Sequence, residues 1–436
     1  MPKSLRGAPR AGEGTNLRQR FSDAGPSPQR FALGASRRLS RGENGLSPPL
    51  ALYVHIPWCV KKCPYCDFNS HGLRAAMPER EYVAALLADL DGDLADFGEA
   101  MHGREISSVF FGGGTPSLFA PASIAAILDG ASARIPFARE CEITLETNPG
   151  TVEHGRFDGY LKAGVNRISF GVQSFDDDKL RALGRIHSSS EAGSAVKLAQ
   201  DAGFDNINLD LMYALPRQTL DGALGDIEHA IALQPAHISH YQLTLEPGTP
   251  FARRPPPPLP DHDAAWDMQE ACQARLAQAG YSQYEVSAYA QPGRRCRHNL
   301  NYWEFGDYLG IGAGAHAKLT DAHAVHRRWK TRSPVAYLQN AHTPRRIGGD
   351  ETVGAEQLPF EFMLNALRLN EGVGMDTFHA YTGLRAESIS APLQQARDKG
   401  WLTGDADRLQ ATPLGRRFLN DLIEVFLPIG PKHSHA

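Results

Sequence analysis

The sequence predicts an α/β fold: six strand-and-helix units forming an open or closed barrel, followed by a smaller, mainly helical module. Three observations carry this. Short, nearly continuous runs of apolar, β-branched and aromatic residues recur at 52–56, 109–111, 143–145, 168–172, 207–212 and 238–243, the pattern of strands buried on both faces. Segments with helical spacing lie between them, at 82–94, 124–135, 195–202 and 224–233. Their alternation implies a parallel sheet with right-handed crossovers. Chemistry in such a fold gathers at the carboxyl ends of the strands, so the segments after each run are where candidate site residues are sought.

Composition narrows the function classes. The chain has 436 residues, 42% hydrophobic and 22% charged, which excludes a fibrous or wholly disordered protein. Lys plus Arg number 45 against 49 Asp plus Glu, so no basic balance points to nucleic acid, and none is expected as a partner. No apolar stretch approaches the ~20 residues that span a bilayer, and no signal-like apolar segment opens the chain. A soluble, non-secreted protein is expected. Residues 1–48 hold nine basic residues against three acids with scattered Gly, Pro and Ser. They read as a disordered basic extension; an organelle transit peptide is the functional alternative, which Pro9, Pro26 and Pro28 oppose.

The expected domains are this extension, a barrel over 49–254, a connector with a second motif region over 255–350, and a C-terminal module over 351–436. Pro255, Pro256, Pro257, Pro258 and Pro260 mark a stiff connector. Beyond it a helix is expected at 263–279, an alternating strand at 281–289 and a glycine-rich patch at 306–316. The last module reads as helices at 356–368, 376–381, 388–399 and 413–426, with short strands at 401–402 and 409–412. It is winged-helix-like, but lacks a basic stripe, so a structural or substrate-covering role is expected rather than DNA binding.

The strongest chemical signal is Cys59-x3-Cys63-x2-Cys66, directly after the first strand, with Pro57 and Pro64 stiffening the loop. Three thiolates on one tight loop can face one metal centre, and thiolates select zinc or iron–sulfur. Structural zinc wants four protein ligands; Cys141, Cys272 and Cys296 are isolated, although His55 or His71 could complete a set. A cubic iron–sulfur cluster also wants four ligands, and three cysteines leave one iron open.

This spacing, at the mouth of an α/β barrel and followed by Gly112-Gly113-Gly114-Thr115, resembles the radical S-adenosylmethionine superfamily. The resemblance implies a partial (β/α)6 barrel holding a [4Fe-4S] cluster on Cys59, Cys63 and Cys66. It also implies S-adenosylmethionine chelating the open iron, with reductive cleavage to a deoxyadenosyl radical. By the same resemblance Gly113, Gly114 and Thr115 lie against the methionyl group. Glu146 pairs with the ammonium or ribose, Gln173 and Arg185 bind the carboxylate or ribose, and Asp210 binds ribose hydroxyls. Tyr53, six residues before the first cysteine, is similar to a cofactor-side tyrosine of the porphyrinogen-oxidising branch.

Segments 53–59, 63–70, 111–117, 171–175 and 208–212 together are similar to the group of oxygen-independent coproporphyrinogen oxidases and related haem chaperones. Phe68 stands where the oxidase has a fourth cysteine. His298-Asn299-Leu300-Asn301-Tyr302-Trp303 matches the H-N-x-x-Y-W motif of the haem-chaperone branch. An imidazole can be an axial iron ligand and aromatic rings can cover a porphyrin; a loop histidine in hydrogen bonds is the alternative. The resemblance thus implies haem as ligand, with His298, Tyr302 and Trp303 as candidate contacts, and a haem-accepting protein such as a membrane respiratory enzyme as partner. It further implies a cytoplasmic chain that visits the membrane, and a monomer–dimer exchange for which no sequence feature speaks. Coproporphyrinogen III decarboxylation is the alternative activity. His316 is expected near the cofactor, and His433 and His435 are expected to be inert.

Overall fold

The computed structural model describes residues 47–73, 76–150 and 156–428. Most of the basic extension, and His433 and His435, lie outside the described residues. The six expected strands are β1 (Leu50–Ile56), β2 (Ile106–Gly113), β3 (Phe137–Thr147), β4 (Arg167–Gln173), β5 (Ile207–Tyr213) and β6 (His237–Gln242), each paired in parallel with the next. The crossovers carry α1 (Glu79–Met101), α2 (Pro121–Ser132), α3 (Phe157–Lys162), α4 (Ser189–Asp201) and α5 (Leu220–Ala232). Local sequence fixes their starts. Ser188 and Glu191 form a reciprocal capping box on α4, and Thr219 caps α5, each satisfying amides that the first helical turn leaves without partners.

The register sorts each strand into two faces. Val54, Phe111, Leu145, Ile168 and Ile207 lie in one cross-strand row, all fully buried beneath the helices. On the opposite face a second row reads Glu146, Ser169, Asn208, His237. The expectation that these strands are buried on both faces holds, and the inner face is polar and lines the barrel. Alternation along a strand places Tyr53, Phe110, Thr144 and Arg167 on that same inner face, one row lower.

The sheet does not stop at six strands. After the proline run come α6 (His262–Gln278), β7 (Ser282–Gln283), β8 (Ala288–Ala290), α7 (Arg297–Trp303), β9 (Asp307–Ile311), β10 (His316–Thr320), β11 (Val325–Lys330) and β12 (Ile347–Val353). The strand order is β12-β11-β10-β9-β1-β2-β3-β4-β5-β6-β8-β7. The segment 255–350 thus supplies both edges of the sheet, β8 running antiparallel on β6 and β9 parallel on β1.

Buried charges clamp the β9–β12 edge to α1. Lys330 donates to Asp89 and Asp93, and Arg346 and Arg328 reach the same helix; Lys330 and both aspartates are fully buried. Asp89 also accepts from the Gly312 amide and the Tyr337 hydroxyl, which fixes the turn after β9.

The C-terminal module holds helices Leu358–Ala366, Met375–Thr382 and Ser390–Asp398, then Pro413–Arg417 and Leu419–Glu424, so the expected last helix is broken at Phe418. Its small pairing joins Val373–Gly374 to Arg408–Leu409, and the expected 401–402 strand contributes a single bridge, Leu402 to Ala411. Among the described residues, no helix is long and apolar enough to cross a membrane.

Candidate functional site

The cysteine loop springs from the carboxyl end of β1. Cys59 closes a two-residue strand paired in parallel with His71–Gly72, and backbone bonds from His71 to Pro57 (2.7 Å) and from Leu73 to Cys59 (2.9 Å) close the loop on itself. Asn69 ties it to the far edge of the sheet by donating to the carbonyls of Ala313 and Arg332, each at 2.9 Å. His55 supports it from below. Its Nδ1 accepts from the Tyr53 hydroxyl (2.7 Å) and its Nε2 donates to the Asn69 carbonyl (3.0 Å), which assigns the tautomer. Both nitrogens are engaged and burial lowers the imidazole pKa to about 4, so His55 is a neutral strut and does not complete a zinc set.

The three loop cysteines are free thiols and half-buried. Burial raises the pKa of Cys59 and Cys66; the other loop thiolates push the same way, while Thr115 and Ser70 oppose for Cys59 and Ser70 for Cys66. Three thiolates this close suit a cationic metal centre that offsets their repulsion. A ring of hydrogen bonds runs around them. Arg185 donates to Cys63 Sγ at 3.7 Å, to Asn148 and to the Gly171 carbonyl, and Asn148 donates to Thr115 Oγ1 at 2.7 Å.

The glycines have steric reasons. Gly113 has φ +109°, and a Cβ there would lie 2.4 Å from the His55 ring; one on Gly114 would lie 2.4 Å from the Trp58 carbonyl oxygen. The Gly113 amide donates to Glu146 at 3.2 Å. Burial and the nearby Asp210 carboxylate raise Glu146 to about 8, against that hydrogen bond. Burial likewise raises Asp210, although Asn208 and Ser169 donate to it at 2.8 and 3.2 Å. Among the described residues neither carboxylate is in an ion pair at salt-bridge distance; Arg167 acts on Asp210 from the row below and Arg185 donates to Cys63, so the upper barrel presents two acids and three thiols beside two guanidiniums.

Gln173 adopts φ +73° and accepts from the Tyr241 hydroxyl at 2.9 Å. That unusual backbone is held by Asp226, which accepts from the Ser174 hydroxyl and, at 2.6 Å, from the Phe175 amide. Tyr53, Gly113, Gly114, Thr115, Glu146, Gln173, Arg185 and Asp210 therefore gather with the cysteines at the carboxyl ends of β1 to β5. Sequence reasoning missed Asn148, Asn69, Tyr241 and Asp226 as supports. Asn148 lies in a strand-end segment where it could have been found, whereas Tyr241 and Asp226 carry no local signal.

The second motif lies elsewhere. His298 is buried at the start of α7, stacked on Phe110 with ring centroids 4.2 Å apart and planes 9° from parallel. Its Nδ1 is 3.0 Å from Cys296 Sγ and 3.3 Å from Glu142 Oε1. Tyr302 meets it edge-on at 6.2 Å, while Trp303 lies under Arg368 of the C-terminal module. In this geometry the His298 imidazole is buried, with one face covered by Phe110 and its Nδ1 turned to Cys296 and Glu142 rather than to an open cavity. Cys296, isolated in the sequence, is its contact; Cys141 and Cys272 are buried. His316 is exposed beside the mouth, stacked on Trp329. Phe68, in the place of the oxidase's fourth cysteine, is 57% exposed on the loop.

Residues 53–249 match the Radical SAM superfamily and residues 353–418 the HemN C-terminal domain. The chain is 52% identical to Heme chaperone HemW of Escherichia coli, covering 87% of this chain and 98% of that relative. It is 34% identical to Heme chaperone HemW of Mycobacterium tuberculosis, covering 88% and 97%. The structure of Coproporphyrinogen III oxidase (HemN) from Escherichia coli, described as a Radical SAM enzyme, superposes with TM-score 0.74 at 23% identity over 89% of this chain and 91% of that one. That likeness concerns the fold.

Proposed function

The chain belongs to the HemW family of radical S-adenosylmethionine proteins, and from that premise we propose that it is a haem chaperone, binding haem and passing it to an acceptor protein. The observation that carries the reading is the 52% identity to a named haem chaperone over nearly the whole of that relative. The geometry supports the cofactor part. Cys59, Cys63 and Cys66 would hold a [4Fe-4S] cluster through three thiolates, leaving one iron for S-adenosylmethionine. Glu146 and Asp210, two acids outside any ion pair among the described residues, suit a ligand that carries an ammonium and a sulfonium. Arg185, already fixed by Asn148 and Gly171, would orient the ligand's carboxylate, and Gln173 its ribose. Such a cluster, once reduced by an external donor, would supply one-electron chemistry to the cofactor; the surrounding side chains bind, orient and exclude water.

The proposal extends to the setting. Haem proteins of the membrane respiratory chain are the acceptors, reached by a cytoplasmic chain that visits the membrane, and cofactor binding governs a monomer–dimer exchange. Phe68 favours the chaperone over the oxidase.

One paired experiment tests the reading. Anaerobically reconstituted protein is titrated with haem and followed by its Soret absorbance, and the same preparation is given coproporphyrinogen III with S-adenosylmethionine and a reductant. One tight haem site with no protoporphyrinogen formed is expected. Turnover without tight haem binding would establish the oxidase activity instead.

A further inference from the structure

Below the cofactor layer, the barrel floor gathers one thiol, one imidazole and one carboxylate from two distant parts of the chain. Cys296 and His298 flank the start of α7, and Glu142 projects from β3; their relative exposures are 1%, 6% and 6%. The ligand atoms form a small triangle: Sγ to Nδ1 is 3.0 Å, Sγ to Oε1 3.7 Å and Nδ1 to Oε1 3.3 Å. Tetrahedral zinc, with bonds of ~2.0–2.3 Å, sets its sulfur, nitrogen and oxygen ligands ~3.4–3.6 Å apart. Its edges lie within ~0.6 Å of that spacing, so small side-chain shifts would bring all three atoms onto one ion.

Glu142 is already oriented, because the amides of Arg297 and His298 donate to it at 3.0 and 3.3 Å. Such outer hydrogen bonds hold a ligating carboxylate in place. Phe110 covers the imidazole face, and Tyr284 bonds the Cys296 amide at 3.3 Å and His237 at 2.9 Å. This shell is too closed for a haem or an organic substrate. A single ion needs no cavity beyond its ligands.

Charge counting gives the ion's valence. Arg167 is buried on the same inner face, within electrostatic reach of Glu142, Cys296 and Asp210, and Asp210 lies one layer up through Asn208 and His237. Two carboxylates and one guanidinium sum to one net negative charge. A divalent cation bound with loss of the Cys296 proton adds two positive charges and one negative, and brings the interior to neutrality. Buried charge is tolerated only where it is matched. A monovalent ion would balance the charge only with the thiol still protonated, without the thiolate that a thiophilic ion takes.

We propose that Glu142, Cys296 and His298 form a binding site for one thiophilic divalent cation of the zinc class, which pins α7 to the barrel floor. The motif histidine then serves a buried ion rather than haem, held by three protein ligands where a closed structural zinc site has four, and the inference stands apart from the chaperone reading.

The test uses the full-length chain with Cys59, Cys63 and Cys66 changed together to Ser, which removes the competing thiolates. After chelator treatment this variant is titrated with Co²⁺ and, by competition with a chromophoric chelator, with Zn²⁺. One equivalent of each is expected, Co²⁺ giving a thiolate charge-transfer band in the near ultraviolet. Adding Cys296→Ser should abolish that band, and Glu142→Gln should weaken Zn²⁺ binding at least tenfold while circular dichroism confirms the fold. Uptake below a tenth of an equivalent, or a band that survives Cys296→Ser, overturns the site and leaves Glu142 as a cap for α7 alone. Haem titration of His298→Ala separates the two readings. Retained haem with lost Co²⁺ supports the ion site, whereas lost haem with no Co²⁺ uptake in the parent returns His298 to haem. Absence of haem binding in the wild type would sink the chaperone reading without touching the ion site.

Discussion

Glu146→Gln isolates the charge logic of the upper barrel. In the cofactor-free chain the carboxyl titrates at about 8 rather than 4.5, because burial and Asp210 disfavour its anion. Between those values the folded protein keeps a proton that the unfolded chain has released. Stability therefore falls as pH rises through that window, the reverse of a salt-bridged carboxylate. A shift of that size has a ceiling of ~5 kcal/mol at ~1.4 kcal/mol per unit, and solvent reaching the part-exposed carboxyl reduces it to ~1–3 kcal/mol. With unfolding entropies of ~2 cal/mol/K per residue, a chain this long converts that into ~1–4 °C. Thermal unfolding of the cluster-free wild type and variant, compared from pH 5 to 8.5, should show the variant gaining on the wild type as pH rises. Parallel profiles would refute the reasoning, since the slope would then arise from other groups. Calorimetry near pH 7 adds a ligand readout on reconstituted protein. S-adenosylmethionine should release a proton from the wild type, seen as a dependence of the heat on buffer ionisation, and the variant should lose that dependence.

Other perturbations follow from the same geometry. Gly113→Ala forces a side chain into φ +109° and against the His55 ring, and should cost ~1–3 kcal/mol and at least half the iron bound after reconstitution; full iron loading would show that the His55 strut does not govern the loop. Asp89→Asn strips a fully buried carboxylate from Lys330 and Arg346, and should lower stability by ~3–5 kcal/mol in urea unfolding; a change within error would mean that Asp93 alone sustains the clamp. Arg185→Lys keeps the charge but loses the planar fork joining Asn148, Gly171 and Cys63, so S-adenosylmethionine affinity should fall at least tenfold while iron content stays near wild type; unchanged affinity would remove Arg185 from the cofactor site.

The parts of the molecule legible in the sequence were those written in adjacent residues. The six strands announced themselves because Val54, Phe111, Leu145 and their row pack on helices, and the cysteine loop because its ligands fall within eight positions. What the sequence hid is the closure of the fold. β9 pairs with β1 from some 250 residues away, and Lys330, which looks like an ordinary surface lysine in a charged stretch, is buried against Asp89 and Asp93. The inner face was hidden for a related reason. Glu142, Arg167 and His237 sit just before apolar runs and Asn208 lies inside one, yet their partners lie on other strands and on α7, so each reads alone as an end or a break rather than as the lining of a barrel.

His298 brings both effects together. Its motif is local and was found, but its environment is set by Phe110 and Glu142, which lie some 190 and 160 residues earlier. A histidine free in a loop can approach a haem iron; the same residue stacked, bonded and enclosed can serve only what fits between it and its neighbours. Residue identity supplied the ligand chemistry, and the sheet register that brings β2 and β3 beneath α7 set the neighbours that chemistry meets.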